Sequence, residues 1–196
     1  MDAFCFLTAV PLRVEPSDRA EMVSQLVYGE VAEVLQREAK WSRVRCRYDG
    51  YEGWIDNKQY VPFHSAATLA ENGFLNTPYL WGGRSRGGID CSGLTQVCFK
   101  AMGLWLPRDA SQQALTGVEV CLADAREDDL AFFAGLPLKN DGGAPRVTHV
   151  GICRGDGTVI HASGYVRIDR LDSQGIFTGT DYSHRLLSVR RVAASE

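Results

Sequence analysis

The sequence has no long hydrophobic run: none of its 196 residues lie in a segment that approaches the ~18–20 apolar residues of a membrane-spanning helix. It also lacks a lysine or arginine run, since the densest basic stretch is RVRCR at 43–47 and the net charge is only -3. A nucleic-acid-binding or polybasic membrane-binding surface is therefore not indicated. No Cys-x-x-Cys or His-x-x-x-His spacing occurs, so the sequence predicts no metal and no other cofactor.

The first residues lack the features of a signal peptide, because Asp2 precedes only a short apolar run and no basic region is present. We therefore expect a cytoplasmic protein if residue 1 is the native start, and a periplasmic or extracellular one if a leader was removed. Six cysteines without paired spacing fit a reducing compartment.

Residues 1–63 form the first predicted domain, a small barrel of short strands separated by turns. The strands are predicted at Phe4–Val10, Met22–Leu26, Glu30–Glu38, Trp41–Tyr48 and Gly53–Ile55. The predicted core consists of Val31, Val34, Leu35, Trp41, Val44 and Trp54. A predicted helix over 67–72 marks the junction with the second domain, residues 64–196, and no Gly/Ser- or Pro-rich spacer separates the two.

In one segment a glycine-rich loop leads into a predicted helix that has a cysteine in its first turn: WGGRSRGGIDCSG, residues 81–93. Apolar residues at 94, 97, 98 and 101 predict the helix, and Gly103 is a typical stop. At a helix start, unpaired N–H groups and the positive end of the macrodipole favour a thiolate. We therefore predict that Cys91 is a nucleophile.

Two of the four histidines, His149 and His161, lie in segments that predict a β-hairpin around Gly155-Asp156-Gly157. A three-residue loop ending in glycine places Gly151 opposite His161 and puts both histidines on one face, roughly 7–8 Å apart at the backbone. A loop of two or four residues would place them on opposite faces.

These residues predict a Cys-His-polar triad, in which Cys91 attacks a carbonyl, His149 takes and returns the proton, and His161 orients His149. The alternative is that Cys91 is one of six ordinary thiols and that the histidines make only local hydrogen bonds. Three features together favour the triad: the glycine-rich segment before Cys91, the position of Cys91 at a helix start, and the placement of both histidines on one face of the hairpin.

Residues 66–196 resemble the NlpC family of bacterial cell-wall cysteine peptidases, a papain-like group. The resemblance rests on YLWGG at 79–83, DCSG at 90–93, PRDASQ at 107–112, DLAFF at 129–133, THVG at 148–151 and IHAS at 160–163. Asp128 departs from the pattern, because family members commonly carry glycine there, and this departure puts a turn in doubt. Segments LRVEP at 12–16 and YEGW at 51–54 resemble a bacterial SH3-like domain.

The resemblance implies an α+β, papain-like catalytic domain preceded by a small all-β SH3-like barrel. It implies hydrolysis of the bond between γ-D-glutamate and a diamino acid, diaminopimelate or lysine, in peptidoglycan stem peptides. By the same resemblance Tyr79 positions the substrate or the oxyanion, for which the N–H of Cys91 or Ser92 is a second donor. The alternative for Tyr79 is an aromatic held by packing.

In two-domain relatives, acidic and tyrosine side chains bind the free amine of L-alanine. The candidates here are Glu15, Tyr51, Asp90 and Ser92, and the partners implied are peptidoglycan-derived peptides with a free N-terminal L-alanine. For Glu15, a solvated turn residue ahead of Pro16 is an equally good interpretation.

Arg108 and Ser111 are predicted anchors for the free carboxylate of γ-D-glutamate, because a guanidinium grips a carboxylate with two parallel bonds. Two other functions remain open: a silent wall-binding module, and a cysteine amidase or acyltransferase on the same fold. The set Cys91, His149 and His161 argues against the first, and nothing in the sequence excludes the second.

Overall fold

The structure, a computed structural model, describes residues 1–136 and 144–193. Backbone contacts divide the chain into two compact units, Met1–His64 and a second that begins at Ser65. Within the described ranges, no helix combines the length and apolar character needed to cross a membrane.

The N-terminal unit, all of whose residues are described, contains one antiparallel sheet of seven strands. In chain order these are β1 (Asp2–Phe4), β2 (Ala9–Arg13), β3 (Met22–Val27), β4 (Val31–Arg37), β5 (Trp41–Cys46), β6 (Glu52–Asp56) and β7 (Val61–Phe63). They lie side by side in the order β3-β2-β6-β5-β4-β1-β7. Alternate side chains of β2, β5 and β6, among them Leu12, Val44 and Ile55, meet in one buried cluster.

Three details of the N-terminal prediction are wrong. Trp54 is only partly buried and lies outside the core, because it alternates along β6 with the buried Gly53 and Ile55. The single strand predicted at Phe4–Val10 is two strands, because β1 pairs with β4 and β7 whereas β2 pairs with β3 and β6. Leu35 is 37% exposed rather than part of the core, since a β-bulge between Val34 and Gln36 shifts the alternation of β4.

The described part of the C-terminal unit combines helices with a second, larger sheet. The helices are α1 (Ala66–Phe74), α2 (Cys91–Ala101), α3 (Ala110–Gln113) and a 3₁₀ turn (Leu122–Asp124). The strands are β8 (Arg84–Ser85), β9 (Gly88–Ile89), β10 (Val118–Val120), β11 (Leu130–Gly135), β12 (His149–Cys153), β13 (Thr158–Ser163), β14 (Tyr165–Asp172), β15 (Gly175–Phe177) and β16 (Tyr182–Arg191).

Strands β10 to β16 follow the order β10-β16-β11-β12-β13-β14-β15, and β16 also pairs with β15. The six strands β11 to β16 therefore close into an antiparallel barrel. Helix α2 packs against β12 and β13, which places the start of α2 beside the strands that carry the two predicted histidines.

The geometry at the start of α2 explains the glycine two residues after Cys91. Asp90 caps the helix and accepts the Gly93 N–H at 2.7 Å. A Cβ atom on Gly93 would lie 2.3 Å from the carbonyl oxygen of Gly83, so only glycine permits this close approach. The predicted helix and its end before Gly103 are confirmed.

The hairpin of β12 and β13 has the predicted register, with Gly151 directly opposite His161. A Cβ atom on Gly151 would lie 2.5 Å from Val159 Cγ2 and 3.1 Å from the Cβ atom of His161. The absence of a side chain on Gly151 therefore leaves room for this histidine.

Asp128, where the resemblance expects glycine, has a left-handed φ of 71°. Its carboxylate accepts the backbone N–H of Ala67 at 2.8 Å, in the first turn of α1. The turn therefore forms without glycine, and this hydrogen bond offsets part of the backbone strain.

Candidate active site

Cys91 is the first residue of α2 and is only 7% exposed. Burial raises the pKa of the Cys91 thiol, although hydrogen bonds from the backbone of Val150, and from Ser92 and Cys91 at the helix start, favour the thiolate. The contact with Val150 places the sulfur beside the start of β12, where His149 lies.

The sequence analysis considered only the effect of the helix start, which favours the thiolate. The helix start does act in the expected direction, but burial outweighs it. Since a buried thiol is the stable resting form, the proton must leave the sulfur during attack, which requires a neutral base nearby.

His149 and His161 lie on one face of the hairpin, as predicted, and their rings touch. His149 Nε2 lies 2.8 Å from His161 Nδ1, and the ring centroids are 5.0 Å apart. Both side chains are buried, being 5% and 1% exposed. The geometry for His161 to orient His149 is present.

Asp169 extends this pair and was missed by the sequence analysis. Its Oδ2 lies 3.0 Å from His161 Nε2, and the same carboxylate forms an ion pair with Arg167 at 2.7 Å. Burial alone would raise the pKa of Asp169, but the hydrogen bonds from His161 and Arg167 outweigh it and lower the pKa. The sequence feature that indicates Asp169 is the hairpin of β13 and β14. In its register Arg167 lies opposite His161, and Asp169 is two residues further along β14.

His184, on β16, was also missed. Its ring stacks on His149 with centroids 4.2 Å apart, and its Nδ1 lies 2.9 Å from the hydroxyl of Ser183. Burial lowers the pKa of His184 to about 4, so the stacked ring is neutral near pH 7. No local motif links His184 to the hairpin, because β16 lies near β12 only through the pairing of both strands with β11.

His149 has the properties of a neutral base. Burial is the main reason that its pKa lies well below the usual value of 6.5, and the neighbouring His161 and His184 act in the same direction. The neutral imidazole of His149 is thus next in sequence to Val150, whose backbone contacts the protonated Cys91 thiol. This arrangement fits proton transfer coupled to nucleophilic attack.

Tyr79, Asp90, Ser92 and Arg108 lie around the start of α2. Arg108 grips both oxygens of Asp90, with its Nη1 3.0 Å from Oδ1 and its Nη2 2.6 Å from Oδ2, and Nη1 also donates to the Ser92 hydroxyl at 2.9 Å. Burial raises the pKa of the Tyr79 phenol, and the proximity of Cys91 adds to the shift.

The Arg108 contact changes how two predicted substrate anchors work. The charge of Asp90 is balanced by Arg108, so Asp90 offers an ammonium ion less net attraction than a free carboxylate would. Arg108 likewise uses two of its N–H groups on Asp90. The contacts among Asp90, Ser92 and Arg108 make them a scaffold for the nucleophile's helix, and their roles toward substrate stay predictions.

The remaining predicted residues are exposed. Ser111 lies on α3, Glu15 follows β2, and Tyr51 precedes β6 with 44% of its surface accessible. Glu15 and Tyr51 belong to the N-terminal unit. Their proposed contact with substrate stays a prediction.

We predict that His184 keeps the pKa of His149 low by excluding water from one face of the ring. A neutral base is lost as pH falls through its pKa, so the acidic limb of kcat/KM should lie below pH 6.5 in the wild type. His184→Ala should expose His149 and move this limb to higher pH, whereas His184→Phe should keep the ring contact and the wild-type limb. Identical pH profiles of kcat/KM for all three proteins would show that the stacked ring does not control the pKa of His149.

Two known protein families match parts of the chain. The NlpC/P60 family matches residues 76–185, which include the nucleophile's helix and the histidine hairpin. The family described as "Bacterial dipeptidyl-peptidase Sh3 domain" matches residues 12–59. Both resemblances inferred from the sequence are confirmed.

Two curated relatives carry the name "Gamma-D-glutamyl-L-lysine dipeptidyl-peptidase". The protein from Bacillus cereus is 39% identical over 161 residues, which are 77% of this chain and 46% of the relative. The protein from Bacillus subtilis is 40% identical over 118 residues, which are 60% of this chain and 37% of the relative. The chain thus spans less than half the length of these relatives.

A solved structure supports the fold. The crystal structure of an NlpC/P60 family protein from Bacillus cereus aligns with a TM-score of 0.59 and 27% identity. The alignment covers 97% of this chain and 62% of that structure's chain.

Proposed function

The chain belongs to the NlpC/P60 family of peptidases, and from that premise we propose that it is a cysteine peptidase acting on peptidoglycan stem peptides. The observation that carries the proposal is the buried row from His149 through His161 to Asp169, beside a cysteine at a helix start. The proposed bond is that between γ-D-glutamate and the diamino acid, diaminopimelate or lysine. The names of the two Bacillus relatives support this choice of bond.

In the proposed reaction the Cys91 sulfur attacks the γ-carbonyl carbon while its proton moves to His149. Backbone N–H groups at the start of α2 and the Tyr79 hydroxyl are the candidate donors to the oxyanion. Collapse breaks the C–N bond, and His149 returns the proton to the leaving amine. Water then hydrolyses the thioester, which releases the γ-D-glutamyl carboxylate and restores the thiol.

We further propose that the substrate carries a free N-terminal L-alanine, so that the enzyme acts on turnover fragments. An ammonium ion removed from water needs carboxylate and hydroxyl partners, and acylation of the amine leaves those partners unpaired. The proposed partners are Glu15 and Tyr51. Among residues 1–136 and 144–193 the Glu15 carboxylate forms no ion pair, whereas the charge of Asp90 is balanced by Arg108.

The test compares L-Ala-γ-D-Glu-diaminopimelate, L-Ala-γ-D-Glu-L-Lys and their N-acetylated forms, with mass analysis of the products. We expect L-Ala-γ-D-Glu plus the free diamino acid, and a loss of about 10²-fold or more in kcat/KM on acetylation. Glu15→Gln should weaken the preference, whereas Glu21→Gln, an exposed carboxylate of the same unit, should not.

Each outcome bears on a separate part of the proposal. Equal rates on free and acetylated peptides would refute the requirement for a free amine. A release of ammonia, or transfer to an added amine without hydrolysis, would instead indicate the amidase or acyltransferase alternative. An unchanged preference for the free peptide in Glu15→Gln would show that Glu15 does not bind the amine.

A further inference from the structure

Asp169 contacts the ring nitrogen of His161 that does not face His149. The proposed mechanism of Cys91, His149 and His161 assigns this carboxylate no role. Asp169 is 9% exposed, its Oδ2 lies 3.0 Å from His161 Nε2, and its Oδ1 accepts a hydrogen bond from Arg167 Nη2 at 2.8 Å. A buried carboxylate is costly unless it is paired, and here two donors satisfy it.

We propose that Asp169 is a positioning residue that fixes the tautomers of His161 and His149, so that His149 presents an unprotonated nitrogen to the nucleophile. This inference rests on the proposed peptidase function. It adds a fourth side chain to Cys91, His149 and His161, one that touches neither the substrate nor the reacting atoms.

The tautomers follow from the hydrogen bonds in sequence. An ionised carboxylate only accepts, so His161 must carry its proton on Nε2, the atom that faces Asp169. A neutral His161 then has an unprotonated Nδ1, which can only accept from His149 Nε2, 2.8 Å away. The remaining nitrogen of His149, Nδ1, is therefore unprotonated and is the basic atom.

Arg167 favours this assignment of the protons on His161 and His149. Its guanidinium lies 2.7 Å from Asp169 Oδ2 through Nε and supplies a permanent positive charge to the carboxylate. Asp169 therefore stays ionised, as its lowered pKa also indicates. The proposed tautomers leave the Asp169 charge to be balanced by Arg167, because an imidazolium at position 161 would donate from both nitrogens and could not accept the N–H of His149.

The first test is a double-mutant cycle between positions 169 and 161. The amide in Asp169→Asn faces His161 with either its oxygen or its NH₂ group and no longer selects one tautomer, so kcat should fall about 10- to 100-fold. In His161→Gln the side-chain oxygen accepts from His149 without any tautomer to select. Adding Asp169→Asn there should lower kcat by less than about threefold.

The matched control is Asp172→Asn on the same strand. Asp172 also pairs with an arginine, Arg170, at 3.0 Å, and accepts from Tyr182, but it contacts neither histidine of the row. We expect its kcat to stay within about twofold of wild type. Losses that multiply in the cycle, or an equal loss in Asp172→Asn, would overturn the proposal in favour of a purely structural role.

A second measurement needs neither substrate nor a variant. The ¹⁵N shifts of the imidazole nitrogens in the wild-type protein report which atom carries each proton. We expect protonated Nε2 and unprotonated Nδ1 in both His149 and His161. A proton on Nδ1 of either ring would refute the proposal even if the protein has no peptidase activity, so failure of the proposed function and failure of this inference are distinguishable.

Discussion

Replacing Cys91 with alanine is expected to lower kcat/KM by more than about a thousandfold, because no other group replaces the nucleophile once the thioester is lost. The fold should persist, since alanine is a good helix former and the cap of α2 is made by Asp90 rather than by the cysteine. The measurement is kcat/KM on the free stem peptide, with thermal unfolding of each protein alongside.

Cys121→Ala is the matched control for the loss of a thiol. Cys121 is free and exposed, and it lies outside the nucleophile's helix. Its activity should stay within about twofold of wild type. Residual turnover above about a thousandth in Cys91→Ala would contradict a covalent mechanism at this sulfur.

Replacing His149 with glutamine should be nearly as damaging as replacing Cys91. The thiol is protonated at rest because burial raises its pKa, so attack depends on a base, and an amide is not one. In the double variant Cys91→Ala/His149→Gln, the loss should equal that of the more damaging single change, because the two residues act as one unit.

His64→Gln controls for the removal of an imidazole. His64 is exposed and belongs to the N-terminal unit, and its replacement should leave kcat/KM within about twofold of wild type. If His149→Gln retained more than about a tenth of the activity, or if the double variant lost the product of both effects, His149 would not be the base for Cys91.

Short-range features of the site could be predicted from sequence because their determinants are local. The loop Gly155-Asp156-Gly157 sets the hairpin register, and the register alone places His149 and His161 on one face. Gly103 similarly marks the end of α2. In each case one turn or one helix contains the whole signal.

Other features depend on contacts that the sequence does not show. His184 reaches His149 only because β16 and β12 both pair with β11, and Asp169 becomes a partner only through the register of a second hairpin. The charge state of Cys91 depends on burial, which the helix-start pattern does not report. The exposure of Leu35 follows from a bulge that has no clear mark in the sequence.

The central claim is that Cys91 forms a thioester with the γ-carboxyl of the cleaved peptide. Acid-quenched turnover on L-Ala-γ-D-Glu-diaminopimelate, followed by intact-protein mass spectrometry and peptide mapping, tests it directly. We predict a transient mass gain equal to L-Ala-γ-D-Glu less one water, carried by the peptide that contains Cys91 and absent from Cys91→Ala. Product formation with an adduct on another cysteine, such as Cys121, or with turnover unchanged in Cys91→Ala, would contradict the claim.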